Sequence, residues 1–273
     1  MNISDQNSCL SGFNTEIYDR FSVPIYFEPY AQDLVGRIDL SAVKSALEIA
    51  CGTGVVTRHL RKAMMPESIL VATDISNDML EYARKKLQGE KIEWMIADGS
   101  QLPFEDKSFD LVICEFGFMF VPDKLKAFRE AYRVLRPGGS LLFNTWDKLE
   151  LNEAQRIGRH LFREFFGELP PESLLPFSMN DHNEIRSLLS AAGFTDLTIE
   201  TVSKKAIANS AMDAAISAAK GGLMYNEIMK RNPGALPEFL ETLFKELSTS
   251  FGEAPMIAPM RAIVSQGWKR KGN

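Results

Sequence analysis

The chain has 273 residues, 45% of them hydrophobic, and its 31 basic and 36 acidic side chains give a formal net charge of −5. This size allows one sizeable core, whereas the acidic balance, with no basic cluster before Lys269-Arg270-Lys271, argues against a nucleic-acid-binding protein. Cys9, Cys51 and Cys114 lie far apart, which argues against a disulfide framework and favours a reducing, cytoplasmic environment. Neither a signal peptide nor an apolar run of the roughly 18 residues that span a bilayer is evident.

The first half of the chain alternates predicted strands with predicted helices. An N-terminal segment, interrupted by Pro24 and Pro29, favours short helices. Ser76 and Asp123 are the expected N-caps of two later helices. The strands are predicted at 45–50, 69–73, 92–97, 109–114 and 140–145. Such alternation is typical of a parallel sheet with helices on both faces.

The pattern changes beyond Trp146, where extra helical segments appear. A helix followed by a proline-rich loop is predicted over 148–180, and several helices are predicted over 206–252. Between them, Asp181 begins a helix that ends at Gly193 and leads into a strand at 195–202. A last strand is predicted at 260–268. The chain is expected to form one domain over 1–273, decorated by these insertions.

A glycine-rich turn follows the first predicted strand. Glu48-x-Ala50-Cys51-Gly52-Thr53-Gly54 closes an apolar run, and Asp74 ends the next strand. Glycines let the backbone approach a ligand, and an acid at the next strand end can accept hydrogen bonds from both ribose hydroxyls. The pattern therefore indicates a nucleotide-type cofactor. Thr57 stands where the dinucleotide fingerprint has glycine or alanine, which disfavours a pyrophosphate cofactor.

Four motifs in order resemble a known family. They are the glycine turn, Asp74, Ala97-Asp98-Gly99 and Arg136-Pro137-Gly138-Gly139. Together they resemble the class I S-adenosylmethionine-dependent methyltransferases, closest to the branch that contains the ubiquinone and menaquinone biosynthesis enzymes. The resemblance is specific over 18–146 and general afterwards. It implies an α/β fold with a doubly wound, mostly parallel seven-stranded sheet, the last strand antiparallel between strands five and six, and helical insertions that form a lid.

The same resemblance implies a binding site for S-adenosyl-L-methionine and no metal. The glycine turn would approach the methionine part, Asp74 would take the ribose hydroxyls, and the loop from Asp98 would meet the adenine amino edge. The end of strand four would lie near the methionine amine and the methyl group. Singly, these residues are also explained as turn or capping residues. The expected cofactor-binding residues are Tyr18, Phe21, Glu48, Ala50, Gly52, Gly54, Asp74, Ile75, Met79, Asp98, Gly99, Ser100, Glu115 and Phe116.

The sequence points to no clear catalytic base. His59 and His182 are expected to be surface or structural residues. His160, in the insertion helix, is a candidate base, although a solvated helix face is the preferred explanation of its position. Correct orientation of two reactants can lower the activation barrier by roughly 7–11 kcal/mol, whereas a general base lowers it by roughly 3–5 kcal/mol. A base is therefore not required for an acceptor that is already nucleophilic.

The sequence predicts methyl transfer to an oxygen, nitrogen or carbon of a small, partly apolar acceptor. A cofactor-binding half, 41–147, would be flanked by an N-terminal lid segment, 13–40, and by the insertions around the acceptor. Glu115-Phe116-Gly117 follows strand four without the Asn/Asp-Pro-Pro-Tyr/Phe signature of many base or amide methylating enzymes, which disfavours nucleic-acid and protein substrates. A nicotinamide-dependent oxidoreductase and a catalytically idle cofactor-binding module remain alternatives. The oligomeric state and the acceptor stay open.

Overall fold

The computed structural model describes residues 14–271. Cys9, the start of the predicted N-terminal segment at Phe13 and the last two residues lie outside this range. Within it, the strands are β1 (Ser45–Ile49), β2 (Ile69–Asp74), β3 (Glu93–Ile96), β4 (Phe109–Glu115), β5 (Leu135–Trp146), β6 (Thr195–Ala208) and β7 (Met256–Trp268).

Helices cover both faces of the sheet and its carboxyl edge. The α-helices of residues 14–271 are α1 (Thr15–Ile17), α2 (Glu28–Gly36), α3 (Val55–Ala63), α4 (Asn77–Lys86), α5 (Lys124–Val134), α6 (Glu153–Phe166), α7 (His182–Ala192), α8 (Ala211–Lys220), α9 (Met224–Arg231) and α10 (Leu236–Phe251). A helical segment with wider turns, Tyr18–Phe27, joins α1 to α2. Short, tight helical turns occur at Leu40–Ala42, Phe118–Phe120, Leu149–Leu151, Pro171–Phe177 and Pro233–Ala235.

The strands form one sheet in the order β3-β2-β1-β4-β5-β7-β6. Strands β1 to β5 pair in parallel, and β7 is antiparallel to both β5 and β6. This confirms the doubly wound, mostly parallel sheet and the position of the last strand. The order reverses between β1 and β4, so the chain leaves a crevice at the carboxyl ends of these strands, where open α/β sheets bind ligands.

Side-chain caps fix the helix boundaries that the sequence predicts. Ser76 accepts a hydrogen bond from the N–H of Met79 at the start of α4, and Asp123 accepts one from Lys126 at the start of α5. Gly193 ends α7 with a φ of +107°, a left-handed conformation that glycine adopts without strain. These boundaries confirm the predicted helix starts and the end of α7, because capping depends on local residue chemistry.

Strands β6 and β7 are longer than predicted. They continue to pair with each other from Lys204 opposite Met260 to Ala208 opposite Met256, beyond the part that joins β5. The extension occupies the start of the segment for which helices were predicted, and α8 begins only after Ser210. Ala206 and Ala208 are buried while Ile207 between them is 54% exposed, so side chains alternate as in a strand. The buried positions are alanines, which do not give the strongly apolar alternation by which strands are predicted.

The N-terminal helical segment is not a regular α-helix. The N–H of Glu28 donates to the carbonyl of Val23, five residues earlier, so the turn is wider than in an α-helix. Pro24 lies inside the segment and has no N–H to contribute to the usual pattern. This irregular segment directs Tyr18, Tyr26 and Phe27 toward the carboxyl edge of the sheet, where all three line one cavity. None of the helices between residues 14 and 271 has both the length and the apolar character needed to cross a membrane.

The entry to β5 provides a test of how tightly the sheet is packed. A Cβ atom on Gly139 would lie 2.8 Å from the carbonyl oxygen of Asp110 and 3.0 Å from that of Arg136, both in the backbone. We expect Gly139→Ala to lower the free energy of unfolding by about 1–3 kcal/mol, because the backbone must shift to admit the methyl group. Urea unfolding followed by tryptophan fluorescence measures this loss.

Gly36→Ala is the matched control. Gly36 ends α2, and a Cβ there would meet nothing within 4 Å. The control should keep or slightly raise the free energy of unfolding, by up to about 1 kcal/mol. Equal unfolding midpoints for the two variants would contradict the packing argument.

Candidate active site

One cavity of about 570 Å³ lies at the carboxyl edge of the sheet. The glycine turn after β1 and the ends of β2 and β4 form one side of it. The wide-turn segment Tyr18–Phe27 and helices α6 and α8 contribute residues to the rest of the wall. The cavity therefore lies at the crevice that the strand order creates, and the helical insertions complete it.

Asp74 holds the glycine turn in place. The N–H of Gly52 donates to Asp74 Oδ2 at 2.8 Å, and the N–H of Ser76 donates to Oδ1, also at 2.8 Å. The residue is only 6% exposed, and burial raises the pKa of its carboxyl while these backbone donors act in the opposite direction. Each carboxylate oxygen has a further lone pair, so the group could still accept a hydrogen bond from a ligand.

The two glycines of the turn serve different purposes. Gly52 and Gly54 both have left-handed φ values, +54° and +84°. A Cβ on Gly52 would meet nothing within 4 Å, and Gly52 lines the cavity. A Cβ on Gly54 would lie 3.1 Å from Leu87 Cδ1 and 3.3 Å from the Cβ of Ala83. Gly54 therefore lets the turn pack against the α4 region, whereas Gly52 leaves open space beside the backbone.

Carboxyl groups concentrate at this end of the cavity. Glu48 is 1% exposed, and burial, with the nearby charge of Asp74, raises the pKa of its carboxyl to about 8. Glu115 lines the cavity, and burial raises the pKa of its carboxyl well above the usual range. Neither Glu48 Oε2 nor Glu115 Oε1 has a hydrogen-bond partner among the residues that the structure describes. Ionised carboxyls here would be stabilised by a cationic ligand.

The ends of β1 and β4 carry backbone strain that the sequence did not reveal. Ala50 and Phe116 have φ values of 56° and 50°, a left-handed conformation that costs a non-glycine residue roughly 1–3 kcal/mol. The N–H of Phe116 donates to Asn144 Oδ1 at 2.9 Å, and its ring stacks on Trp146 with centroids 4.0 Å apart. A Cβ on Gly117 would lie 2.6 Å from the Cβ of Ala50. These contacts fix the two turns next to each other at the cavity wall.

The structure brings most of the sequence-predicted site residues to this cavity. Those that line it are Tyr18, Ala50, Gly52, Asp74, Ile75, Met79, Asp98, Gly99, Glu115 and Phe116. Those that do not line it are Phe21, Glu48, Gly54 and Ser100. Glu48 lies buried in β1 behind the wall. The N–H of Ser100 donates to Asp98 Oδ1 at 2.8 Å, so this pair also forms a local turn.

The three histidines lie away from the cavity wall. His160 is 67% exposed and faces Glu164 at 3.3 Å on α6. His59 lies 2.8 Å from Glu28, and His182 lies 3.2 Å from the hydroxyl of Thr201. His160 therefore lies on the solvent-exposed side of α6 and does not line the cavity, in keeping with the solvated position that the sequence analysis preferred over a base.

Several residues that line the cavity are not among the cofactor-binding residues that the sequence predicts, although Tyr26 belongs to the predicted N-terminal lid segment. Tyr26, Trp146 and Arg159 all line the cavity, together with Met119 and Leu175. Tyr26 and Trp146 stand within segments predicted to be near the site, so their aromatic side chains were an available signal. Arg159 follows Gly158 on α6, and only the packing of α6 against α8, α10 and β7 shows which face of this helix meets the cavity.

Known proteins match both the sequence and the fold. The sequence model of the methyltransferase domain family matches residues 47–143. Demethylmenaquinone methyltransferase of Staphylococcus aureus strain Newman is 37% identical over 199 residues, which cover 67% of this chain and 83% of that protein. The enzyme of the same name from Geobacillus stearothermophilus is 28% identical over 200 residues, covering 67% of this chain and 86% of that protein. The chain belongs to the class I S-adenosylmethionine-dependent methyltransferases.

Solved structures agree with this methyltransferase fold. An S-adenosylmethionine-dependent methyltransferase from Thermotoga maritima superposes with a TM-score of 0.59 at 18% identity, covering 97% of this chain and all of that one. Phosphoethanolamine N-methyltransferase 2 of Haemonchus contortus, solved with S-adenosyl-L-methionine, superposes with a TM-score of 0.63 at 16% identity, covering 99% of this chain and 60% of that one. The methyltransferase transfers a methyl group from S-adenosylmethionine, which confirms the predicted enzyme class and cofactor.

The residues of the cavity fit this cofactor. Gly52 leaves room beside the backbone, Asp74 keeps lone pairs for hydroxyl donors, and the unpartnered Glu115 Oε1 can receive a cationic group. S-adenosylmethionine supplies an electrophilic methyl group on a positive sulfonium, together with an amine and a ribose. An acidic, partly dehydrated pocket suits such a molecule better than a pyrophosphate.

Replacement of Asp74 tests this fit. We expect Asp74→Asn to weaken S-adenosylmethionine binding by about 10- to 150-fold, since charged hydrogen bonds contribute about 1.5–3 kcal/mol. Asp78→Asn, an exposed change in the first turn of α4, is the matched control and should bind like the wild type. Calorimetric titration measures both, and thermal melting confirms that each variant is folded. Equal affinities for the two variants would contradict the role of Asp74.

Proposed function

We propose that this enzyme methylates a small, partly apolar molecule held in the far part of the same cavity. The observation that carries the proposal is the continuity of the cavity from the glycine turn to an apolar wall. That wall includes Met119, Trp146, Leu175, Met224 and Leu247. Pockets for small molecules are lined in this way, with few polar groups among apolar ones.

The proposed cofactor position follows from the polar groups. Asp74 would accept hydrogen bonds from the ribose, Asp98 and Gly99 would meet the adenine, and Gly52 and Glu115 would face the amino-acid part. Tyr18 and Phe116 would border the methyl group. The supporting facts are that these residues line one wall of a single cavity and that its buried carboxyls suit a cation. Catalysis would then come mainly from alignment of acceptor and methyl group.

An aromatic ring, such as that of a hydroquinone, is the first acceptor class to examine. The relatives from Staphylococcus aureus and Geobacillus stearothermophilus carry the name demethylmenaquinone methyltransferase. The rings of Phe27, Phe116 and Trp146 in the cavity wall would contact a flat acceptor. The net charge of −5 also disfavours RNA or DNA as the substrate, because phosphates would be repelled.

The helical insertions would act as a cover over this acceptor. In the proposed single domain, 41–147 binds the cofactor while 13–40, 148–180 and 206–252 surround the acceptor. Ser22 Oγ and Ser217 Oγ lie 2.7 Å apart and join the N-terminal segment to α8. A cover of this kind excludes water from the reacting groups. We place the enzyme in the cytoplasm, because the two described cysteines, Cys51 and Cys114, are buried free thiols, as in proteins of a reducing compartment.

Filling the far part of the cavity tests the proposal. Gly158 lines the cavity, and a Cβ there would lie 3.8 Å from Met224 Cε and 3.9 Å from the Cβ of Ala218. With methyl-labelled S-adenosylmethionine and 1,4-naphthohydroquinone, we expect label in the small aromatic product and a loss of about 100-fold in Gly158→Leu. Mass spectrometry identifies the product, and calorimetry should show unchanged cofactor affinity in the variant.

The contrary outcomes are equally specific. Transfer of label to RNA or protein, with none to a panel of small acceptors, would overturn the proposed acceptor class. Full activity of Gly158→Leu would show that the acceptor binds elsewhere.

A further inference from the structure

Arg159 brings a positive charge to the apolar end of the cavity. Its Nε donates to the carbonyl of Ser173 at 2.9 Å, and its Nη1 donates to the carbonyl of Gln155 at 3.2 Å. Its guanidinium carbon lies 4.8 Å from the centroid of the Phe177 ring. Among residues 14–271, no group accepts a hydrogen bond from Nη2. The side chain is therefore oriented by α6 and by the Pro171–Phe177 turn, with donors left over.

No carboxylate neutralises this guanidinium within the described part of the chain. Glu172 lines the same cavity, yet it forms no ion pair with Arg159. Burial lowers the pKa of Arg159 to about 10, so the side chain stays positive at neutral pH. A partly dehydrated cation without a counter-charge is costly to a fold, and such a cation is stabilised when an anion binds.

Tyr26 offers a second donor at the same cavity. The residue belongs to the wide-turn segment, lines the cavity and is 8% exposed. Its hydroxyl makes no hydrogen bond to any residue that the structure describes. Burial raises the pKa of Tyr26 to about 12 while the charge of Arg159 acts to lower it, so the hydroxyl is neutral and keeps its proton at neutral pH. Two unused donors thus face one space from two different elements.

We propose that Arg159 and Tyr26 form a subsite for one anionic oxygen of the methyl acceptor, an aryloxide or a carboxylate. The inference rests on the proposed function, since it takes this part of the cavity as the acceptor site. Asp74 and Glu115 line the same cavity, and their carboxylates would repel such an oxygen. The acceptor therefore binds in one orientation, with its charged oxygen at Arg159 rather than beside those carboxylates.

Binding of four probes to the enzyme saturated with S-adenosylhomocysteine tests the subsite without any turnover. The anions are 2-naphthoate and 4-nitrophenolate, measured at mildly alkaline pH, and their neutral counterparts are 2-naphthamide and 4-nitroaniline. We expect Arg159→Met to lower the affinity for at least one anion by about 10- to 150-fold. The affinities for both neutral probes should stay within twofold of those of the wild type. If only the affinity for naphthoate falls, the acceptor oxygen that the subsite binds is a carboxylate oxygen. If only the affinity for nitrophenolate falls, it is an aryloxide oxygen.

Three further variants sharpen the result. Tyr26→Phe should lower the affinity for the same anion by about threefold to tenfold, as expected for the loss of one hydrogen bond. Arg159→Lys keeps the charge and should retain part of the selectivity for the anion. Arg156→Met removes an exposed arginine of the same helix, which pairs with Glu153, and should bind all probes like the wild type. If Arg159→Met fails to fold, Tyr26→Phe and Arg159→Lys still decide the question.

Other outcomes would overturn the subsite. An equal loss of affinity for charged and neutral probes would show that Arg159 only holds the Pro171–Phe177 turn in place. Loss of S-adenosylhomocysteine affinity in Arg159→Met would assign the guanidinium to the carboxylate of the cofactor. The binding measurement needs no methyl transfer. A negative result would therefore reject the anion subsite without deciding whether the enzyme methylates small acceptors.

Discussion

The Asp74 carboxylate ties the end of β2 to the glycine turn after β1 and to the start of α4, because Gly52 and Ser76 both donate their N–H groups to it. One buried side chain thereby fixes the backbone of the turn that lines the cavity. Gly54 packs this turn against the α4 region, so the turn cannot move away from Asp74 without losing contacts. The strained backbone at Ala50 and Phe116 is tolerated because neighbouring strands and Asn144 hold it.

Asp74, Glu115 and Arg159 all line the cavity, and Glu48 lies buried behind its wall. Burial raises the pKa values of the three carboxyls, and no positive group of the described residues is among the causes that shift them. Burial likewise disfavours the charged form of Arg159 and lowers its pKa. In the proposed site, a cationic methyl donor would stabilise ionised carboxyls, and an anionic acceptor would stabilise the charge of Arg159. Because these groups would bind the two reactants at different places, they would also align them with each other. Such alignment is the main contribution to rate enhancement that this site can make.

The sequence predicts best what depends on local chemistry. The glycine turn, Asp74 and the caps Ser76 and Asp123 follow from residue types at fixed spacing, and the structure places them as expected. It predicts less well what depends on packing between distant segments. The functions of Gly52 and Gly54 differ only because α4 lies beside one of them. The length of β6 and the cavity-facing position of Arg159 likewise depend on neighbours that no local pattern identifies.

Proton release on cofactor binding tests most directly whether buried carboxyls receive the cation. Burial raises the pKa of the Glu115 carboxyl well above its usual range, and a nearby positive charge would lower that pKa, so this carboxyl would hold fewer protons once the cation is bound. Titration of S-adenosylmethionine in buffers of different ionisation enthalpy counts the protons released. The account predicts fewer protons released by Glu115→Gln than by the wild type, and wild-type affinity that rises with pH. Equal proton release by the two proteins would contradict it.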